Sequence, residues 1–150
     1  MSDADTVTPE REVDRLLAHY AESHRNPTNE RLHLVCIPLI LLSLLGLLWA
    51  ISPWLAAGFV VASLVYYLRL SAAFFAAMCL ISLGALGIVM MFGTYVLEIS
   101  LATFAIAWIG QFVGHRIEGK KPSFFEDLRY LWVGPLFCLS LAFRAMGWRW

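Results

Sequence analysis

Leu34-Val-Cys-Ile-Pro-Leu-Ile-Leu-Leu-Ser-Leu-Leu-Gly-Leu-Leu-Trp-Ala-Ile-Ser52 runs without a single charged side chain. Its length is close to the roughly 20 apolar residues a helix needs to cross the hydrocarbon core of a bilayer. A soluble fold of this size has no interior large enough for such a run, because small domains leave much of their surface in solvent. Lipid is the solvent it fits, and it predicts a transmembrane helix.

The flanking sequence repeats the pattern. Trp49, Pro53 and Trp54 mark an interface and a tight turn, where aromatic rings gather at headgroup level. Residues Trp54 to Leu68 form a second, shorter apolar segment. Leu70 to Phe92 form a third, rich in Ala and Gly, which allow close helix approach. Gly93 and Thr94 turn the chain, and Tyr95 to Gly114 form a fourth, with Glu98 near its outer end. An intramembrane carboxylate is a functional flag by default, but this one lies close enough to the interface to reach water. Apolar residues make up 60% of the chain and charged residues 15%, against about 45–50% and 25% in soluble domains.

Upstream, residues 1–10 are acidic and aperiodic and read as a disordered tail. From Arg11 to His24, Val13, Leu16, Leu17 and Tyr20 recur at helical spacing, which predicts a short amphipathic helix. Asn26 followed by Pro27 is a helix start signal. Downstream, a polar stretch from His115 to Arg129 leads to a shorter apolar segment, Tyr130 to Phe143, interrupted by Gly134 and Pro135. Its length suits a re-entrant or interfacial segment better than a fifth span. The expected fold is therefore all-α: one membrane helical domain over residues 11–150, with four transmembrane helices, an amphipathic N-terminal helix and a short re-entrant or fifth C-terminal segment.

Orientation follows from the cations, which are retained on the cytoplasmic side. Arg11, Arg15, Arg25 and Arg31 precede the first span, Arg69 separates the second from the third, and Arg116, Lys120, Lys121 and Arg129 follow the fourth. The two loops around Pro53 and Gly93 have none. Four spans with the amino terminus inside put all of these on one cytoplasmic face, and Arg144 and Arg149 join them if the last segment dips and returns. The net charge of zero gives no reason to expect nucleic acid. Cys36, Cys79 and Cys138 are scattered in apolar runs with no CxxC spacing, so they read as small apolar residues rather than a disulfide or zinc framework.

His19, His24, His33 and His115 are all the histidines, and this topology collects them at the cytoplasmic end. Tyr20 and His24, Asn29 and His33, and Gln111 and His115 are each four residues apart, which sets a hydrogen-bonding residue one turn before each ring. Metal-bound imidazoles need such a partner on the second ring nitrogen. Glu118 falls on the face of His115 as a further acceptor or ligand. Several imidazoles with a carboxylate and no thiolate suit Fe, Zn, Cu or Ni. The same histidines also fit a plainer account, as amphipathic side chains at the headgroup level.

Two stretches resemble a known family. Tyr20 to Pro38, YAESHRNPTNERLHLVCIP, is similar to the pattern Y-x3-H-x4-N-x3-H followed by a proline, and Trp108 to Pro122, WIGQFVGHRIEGKKP, is similar to a second block built on QF-x-GH. Gly134 and Pro135 match a later GP. These blocks resemble the Mpo-like family of small membrane proteins, whose yeast member is an endoplasmic reticulum 2-hydroxy fatty acid dioxygenase. The resemblance implies a membrane-bound, Fe(II)-dependent enzyme that uses O2 to shorten 2-hydroxy fatty acids by one carbon. It assigns His24, His33 and His115 as catalytic metal ligands. Near Ser140 and Leu141, where relatives carry Glu or His, this chain would draw on His19 or Glu118 to complete the set. Tyr20, Asn29 and Gln111 stand as supports to the ligands, and Arg25, Arg31, Arg116 and Lys120 as partners for the substrate carboxylate. The competing classes are a non-enzymatic transporter or assembly factor and a histidine-zinc membrane hydrolase.

Overall fold

The computed structural model describes residues 11–22, 24–119 and 130–150. The tail at 1–10 and the cations Lys120, Lys121 and Arg129 lie outside the described residues.

The described chain is helical, with no strand among the described residues. It begins with α1 (Glu12–Ala21), followed by α2 (Pro27–Ile51), α3 (Pro53–Leu70), α4 (Ala72–Met91), a 3-10 turn at Gly93–Tyr95, α5 (Val96–Ile117) and α6 (Val133–Ala145). The four helices from α2 to α5, the last taken with its 3-10 turn, are long and apolar enough to cross a membrane.

Local chemistry explains the boundaries. Asn26 caps α2 by accepting the Thr28 N–H at 2.9 Å, and Pro27 occupies the first turn, where its missing N–H has no helical partner to lose. Single extended residues separate α2 from α3 at Ser52 and α3 from α4 at Ser71. Gly93 takes the left-handed backbone (φ 56°) that lets α4 turn back into α5. α2 starts seven residues before the charge-free run because Asn29, Glu30 and Arg31 continue the helix beyond the apolar layer.

Two expectations are corrected. α1 ends at Ala21, so His24 sits in the connection to α2 rather than on α1 itself. Its backbone N–H bonds Ala21 O at 3.0 Å and its ring takes the carbonyl of Tyr20, closing the last turn of α1 in the way a basic residue caps a helix C-terminus. Gly134 and Pro135 do not break the last apolar segment either. Pro135 lies in the first turn of α6, where no intrahelical N–H is required.

The 13 residues of α6 extend only about 20 Å, short of the roughly 30 Å hydrocarbon core. α6 packs on α1 at one end of the bundle, and Val13, Leu17, Tyr20, Ile37, Tyr67, Phe74, Leu136, Phe137 and Phe143 form their shared core. At its start Trp132 donates to Ser63 Oγ at 2.9 Å and accepts from Tyr67 OH at 3.1 Å. At its far end Phe143 stacks on Phe74, 5.4 Å between centroids. Arg144 lies 5.5 Å from the Trp150 ring, and Arg11 donates to the Trp150 carbonyl, so the last described residues return to the start of α1. Elsewhere the helices present Val61, Leu80, Leu83, Ile106 and Ile109 outward, as a lipid-facing surface requires.

Candidate metal centre

α2 and α5 form the most extensive helix pair of the bundle. Small residues on α5 make that approach possible. A Cβ on Gly114 would collide with Asn29 Oδ1 and stand 3.4 Å from two atoms of the His33 ring. Gly114 therefore lets His33, on the first turns of α2, lie beside His115, on the last turn of α5. The α1–α2 connection adds His24 to the same place.

The three rings form one buried group. Their centroids are 4.2 Å apart for His24 and His33, 4.9 Å for His33 and His115, and 5.9 Å for His24 and His115. His33 is fully buried, and among the described residues its Nε2 has no hydrogen-bond partner. Tyr20 stacks on His24 at 4.2 Å and 12°, and Phe137 of α6 covers both rings from 5.1 and 5.4 Å.

The other ring nitrogens are held by the backbone. His24 Nδ1 lies 2.8 Å from Tyr20 O and His33 Nδ1 lies 2.9 Å from Asn29 O. A carbonyl only accepts, so Nδ1 carries a proton on both rings, and in the neutral imidazole Nε2 keeps its lone pair. That is the tautomer of a metal-binding imidazole fixed from behind. The sequence spacing correctly pairs these rings with positions one turn earlier, yet the partner is the main-chain oxygen rather than the Tyr20 or Asn29 side chain.

With ligand nitrogens about 2.1 Å from an ion, three imidazoles at ordinary coordination angles have centroids ~4.5–5.5 Å apart. The observed separations bracket that range. Among the described residues, however, no group of three His, Cys, Asp or Glu side chains is disposed to hold an ion as it stands. The rings are gathered and two of them are fixed through Nδ1, but the donor atoms do not close on one point.

Glu118 does something other than face His115. Its Oε1 accepts from the Arg25 N–H at 2.9 Å and its Oε2 from the Asn26 N–H at 2.9 Å and from Asn29 Nδ2 at 3.0 Å. The carboxylate of α5's C-cap thus binds the start of α2, where exposed N–H groups and the helix dipole favour an anion. Burial works to raise its pKa, but the hydrogen bonds from Asn26, Arg25 and Asn29 outweigh it and hold the carboxyl below its ordinary value.

The remaining candidates separate. His19 is exposed, 3.1 Å from Tyr130 OH and 3.7 Å from Glu22, and stands outside the buried group. Arg25, Arg31 and Arg116 are exposed at the same end of the bundle. Lys120 lies outside the described residues. Gln111 is buried on α5 one turn before His115, and among the described residues its Oε1 has no hydrogen-bond partner. Ser140 is buried and donates to Phe137 O at 2.8 Å. Phe137 and Tyr130 carry no local sequence signal, since their roles depend on α6 folding back onto α1.

A family model described as 2-hydroxy-palmitic acid dioxygenase Mpo1-like matches residues 11–146. The chain belongs to the Mpo1-like family. The match takes in every described helix, from α1 to α6, and so all three buried histidines. No curated protein and no solved structure matches the chain.

Proposed function

We propose that this Mpo1-like protein is a membrane-bound, iron-dependent dioxygenase that shortens 2-hydroxy fatty acids by their carboxyl carbon. The observation that carries the reading is the convergence of His24, His33 and His115, from three separate segments, into one buried group with centroid separations of 4.2, 4.9 and 5.9 Å. The family description names the dioxygenase class and a 2-hydroxy acid.

The donor chemistry of three imidazoles suits such a centre. His24, His33 and His115 would hold the metal, with the Tyr20 and Asn29 carbonyls fixing two of the imidazoles. Ferrous iron, when bound by histidines with positions left open, supplies the redox chemistry with dioxygen that no side chain of this chain provides. A 2-hydroxy acid and one O2 balance to the acid one carbon shorter, carbon dioxide and water, so no separate reductant is needed. Arg25, Arg31, Arg116 and Lys120 offer cations to the substrate carboxylate. An apolar cavity of about 90 Å³ between α2, α3 and α4, lined by Leu41, Leu42, Leu45, Phe59 and Val60, supports an acyl tail lying within the bilayer. The positive-inside pattern orients the histidine end to the cytoplasm, in a bacterial inner membrane or in the endoplasmic reticulum of a eukaryote.

The test is conversion of 2-hydroxypalmitate by purified, iron-loaded protein. The expected result is O2-dependent formation of the fifteen-carbon acid by the native chain, and none by His33→Ala. Equal conversion by both, or none by the native chain, overturns the proposal.

A further inference from the structure

A small cavity lies next to Tyr20, the residue stacked on the His24 ring. Tyr20, Ile37, Ile40, Trp108, Gln111 and Gly134 line it together with Leu131 and Tyr130, whose hydroxyl is engaged with His19, and its volume is about 20 Å³. Three of these residues are each four positions from one of the histidines: Tyr20 from His24, Ile37 from His33 and Gln111 from His115. Tyr20 is also stacked directly on the His24 ring. The cavity and the buried group thus share Tyr20 as a wall.

Gln111 lines this chamber at 3% exposure, and its Oε1 has no hydrogen-bond partner among the described residues. A buried amide oxygen left without a donor is strongly disfavoured, so the chamber is built for a group that brings one. Dioxygen has no hydrogen to donate, and an alkyl chain has none that is polar. The chamber exceeds the ~10–15 Å³ that one water-sized group needs, but not by enough for two. A single hydroxyl meets both requirements. As donor and acceptor together, it also suits either orientation of the Gln111 amide.

We propose that this chamber receives the 2-hydroxyl of the substrate and that Gln111 accepts its hydrogen bond, which makes Gln111 the residue that selects 2-hydroxy acids over unsubstituted ones. The proposal rests on the dioxygenase reading for its choice of ligand. Sites that hydrogen-bond a substrate hydroxyl discriminate against analogues lacking it far more strongly than apolar pockets discriminate by size.

The test is competition against radiolabelled 2-hydroxypalmitate on the full chain in lipid nanodiscs under argon, with palmitate and 2-methoxypalmitate as competitors. The native protein should prefer the 2-hydroxy acid over both by about 10- to 100-fold, the range one hydrogen bond to a buried group gives. The 2-methoxy acid should fail because it has no donor and exceeds the chamber. Gln111→Leu should bring the preference for hydroxy acid over palmitate to within twofold, and Gln111→Glu, which keeps an acceptor oxygen, should restore part of it. A native protein that does not discriminate, or that binds none of the three, overturns the proposal without any variant. So does a Gln111→Leu variant with undiminished preference, the result expected if the chamber holds only a resident water. Turnover measured in parallel keeps the two readings apart: discrimination without turnover removes the dioxygenase and leaves the subsite, and turnover with Gln111-independent discrimination does the reverse.

Discussion

Replacing Gly114 by alanine should damage the histidine centre out of proportion to the one methyl group added. The new Cβ would collide with Asn29 Oδ1 and reach 3.4 Å from Cε1 and Nδ1 of His33. Asn29 has little freedom to move aside, since it is fully buried and its Nδ2 is held by Glu118 at 3.0 Å. Either that bond breaks or α2 and α5 separate by roughly an ångström to restore ordinary contact. Overpacking of this kind costs about 1–3 kcal/mol. A misplacement of ~1 Å in a catalytic group costs on the order of 100-fold in rate. Gly110→Ala is the matched control: its Cβ would meet Cys36 Sγ at 2.6 Å, in the same helix interface but against a thiol instead of an imidazole. Thermal unfolding in detergent, with metal content and turnover on the same samples, should show similar destabilisation of both variants. Only Gly114→Ala should lose metal and activity. Native metal content and rate in Gly114→Ala, or an equal loss in Gly110→Ala, would refute the reasoning.

Two further outcomes follow from the geometry around the rings. Because the pKa of Glu118 is depressed from its ordinary 4.5, its contribution to stability is fully present above that value and fades as pH falls through the lower, folded-state pKa. Unfolding midpoints of the native chain and Glu118→Gln should therefore differ at neutral pH and converge in acid, and a gap that widens on acidification would contradict the clamp. His19→Ala should leave metal content unchanged and cost under about 1 kcal/mol, measured by elemental analysis and thermal unfolding, because His19 is exposed and outside the buried group; loss of metal would return it to the ligand set.

Much of the architecture was legible because lipid imposes a simple rule, that charge-free runs of spanning length become helices. The apolar segments beginning at Leu34, Trp54, Leu70 and Tyr95 correspond to α2 through α5. Helix ends were less legible, since hydropathy stops at the interface while backbone hydrogen bonding continues into Asn29, Glu30 and Arg31. Pro135 misled for a related reason: a proline reads as a break unless it is known to fall in a first turn. At the site, spacing set a partner one turn before each of His24, His33 and His115, and the first two rings have theirs at that position. It could not identify the support as a main-chain carbonyl, because every residue has one. The binding of Glu118 to Arg25, Asn26 and Asn29 joins positions about ninety residues apart, and local spacing carries no information at that range.

Elemental analysis of freshly purified, anaerobic protein bears most directly on whether the three imidazoles make a metal centre. The native chain should carry close to one iron per polypeptide, and His24→Ala, His33→Ala and His115→Ala should each lose most of it while keeping their helical content. A native protein without iron, one that holds zinc in its place, or histidine variants that retain native iron would contradict the account.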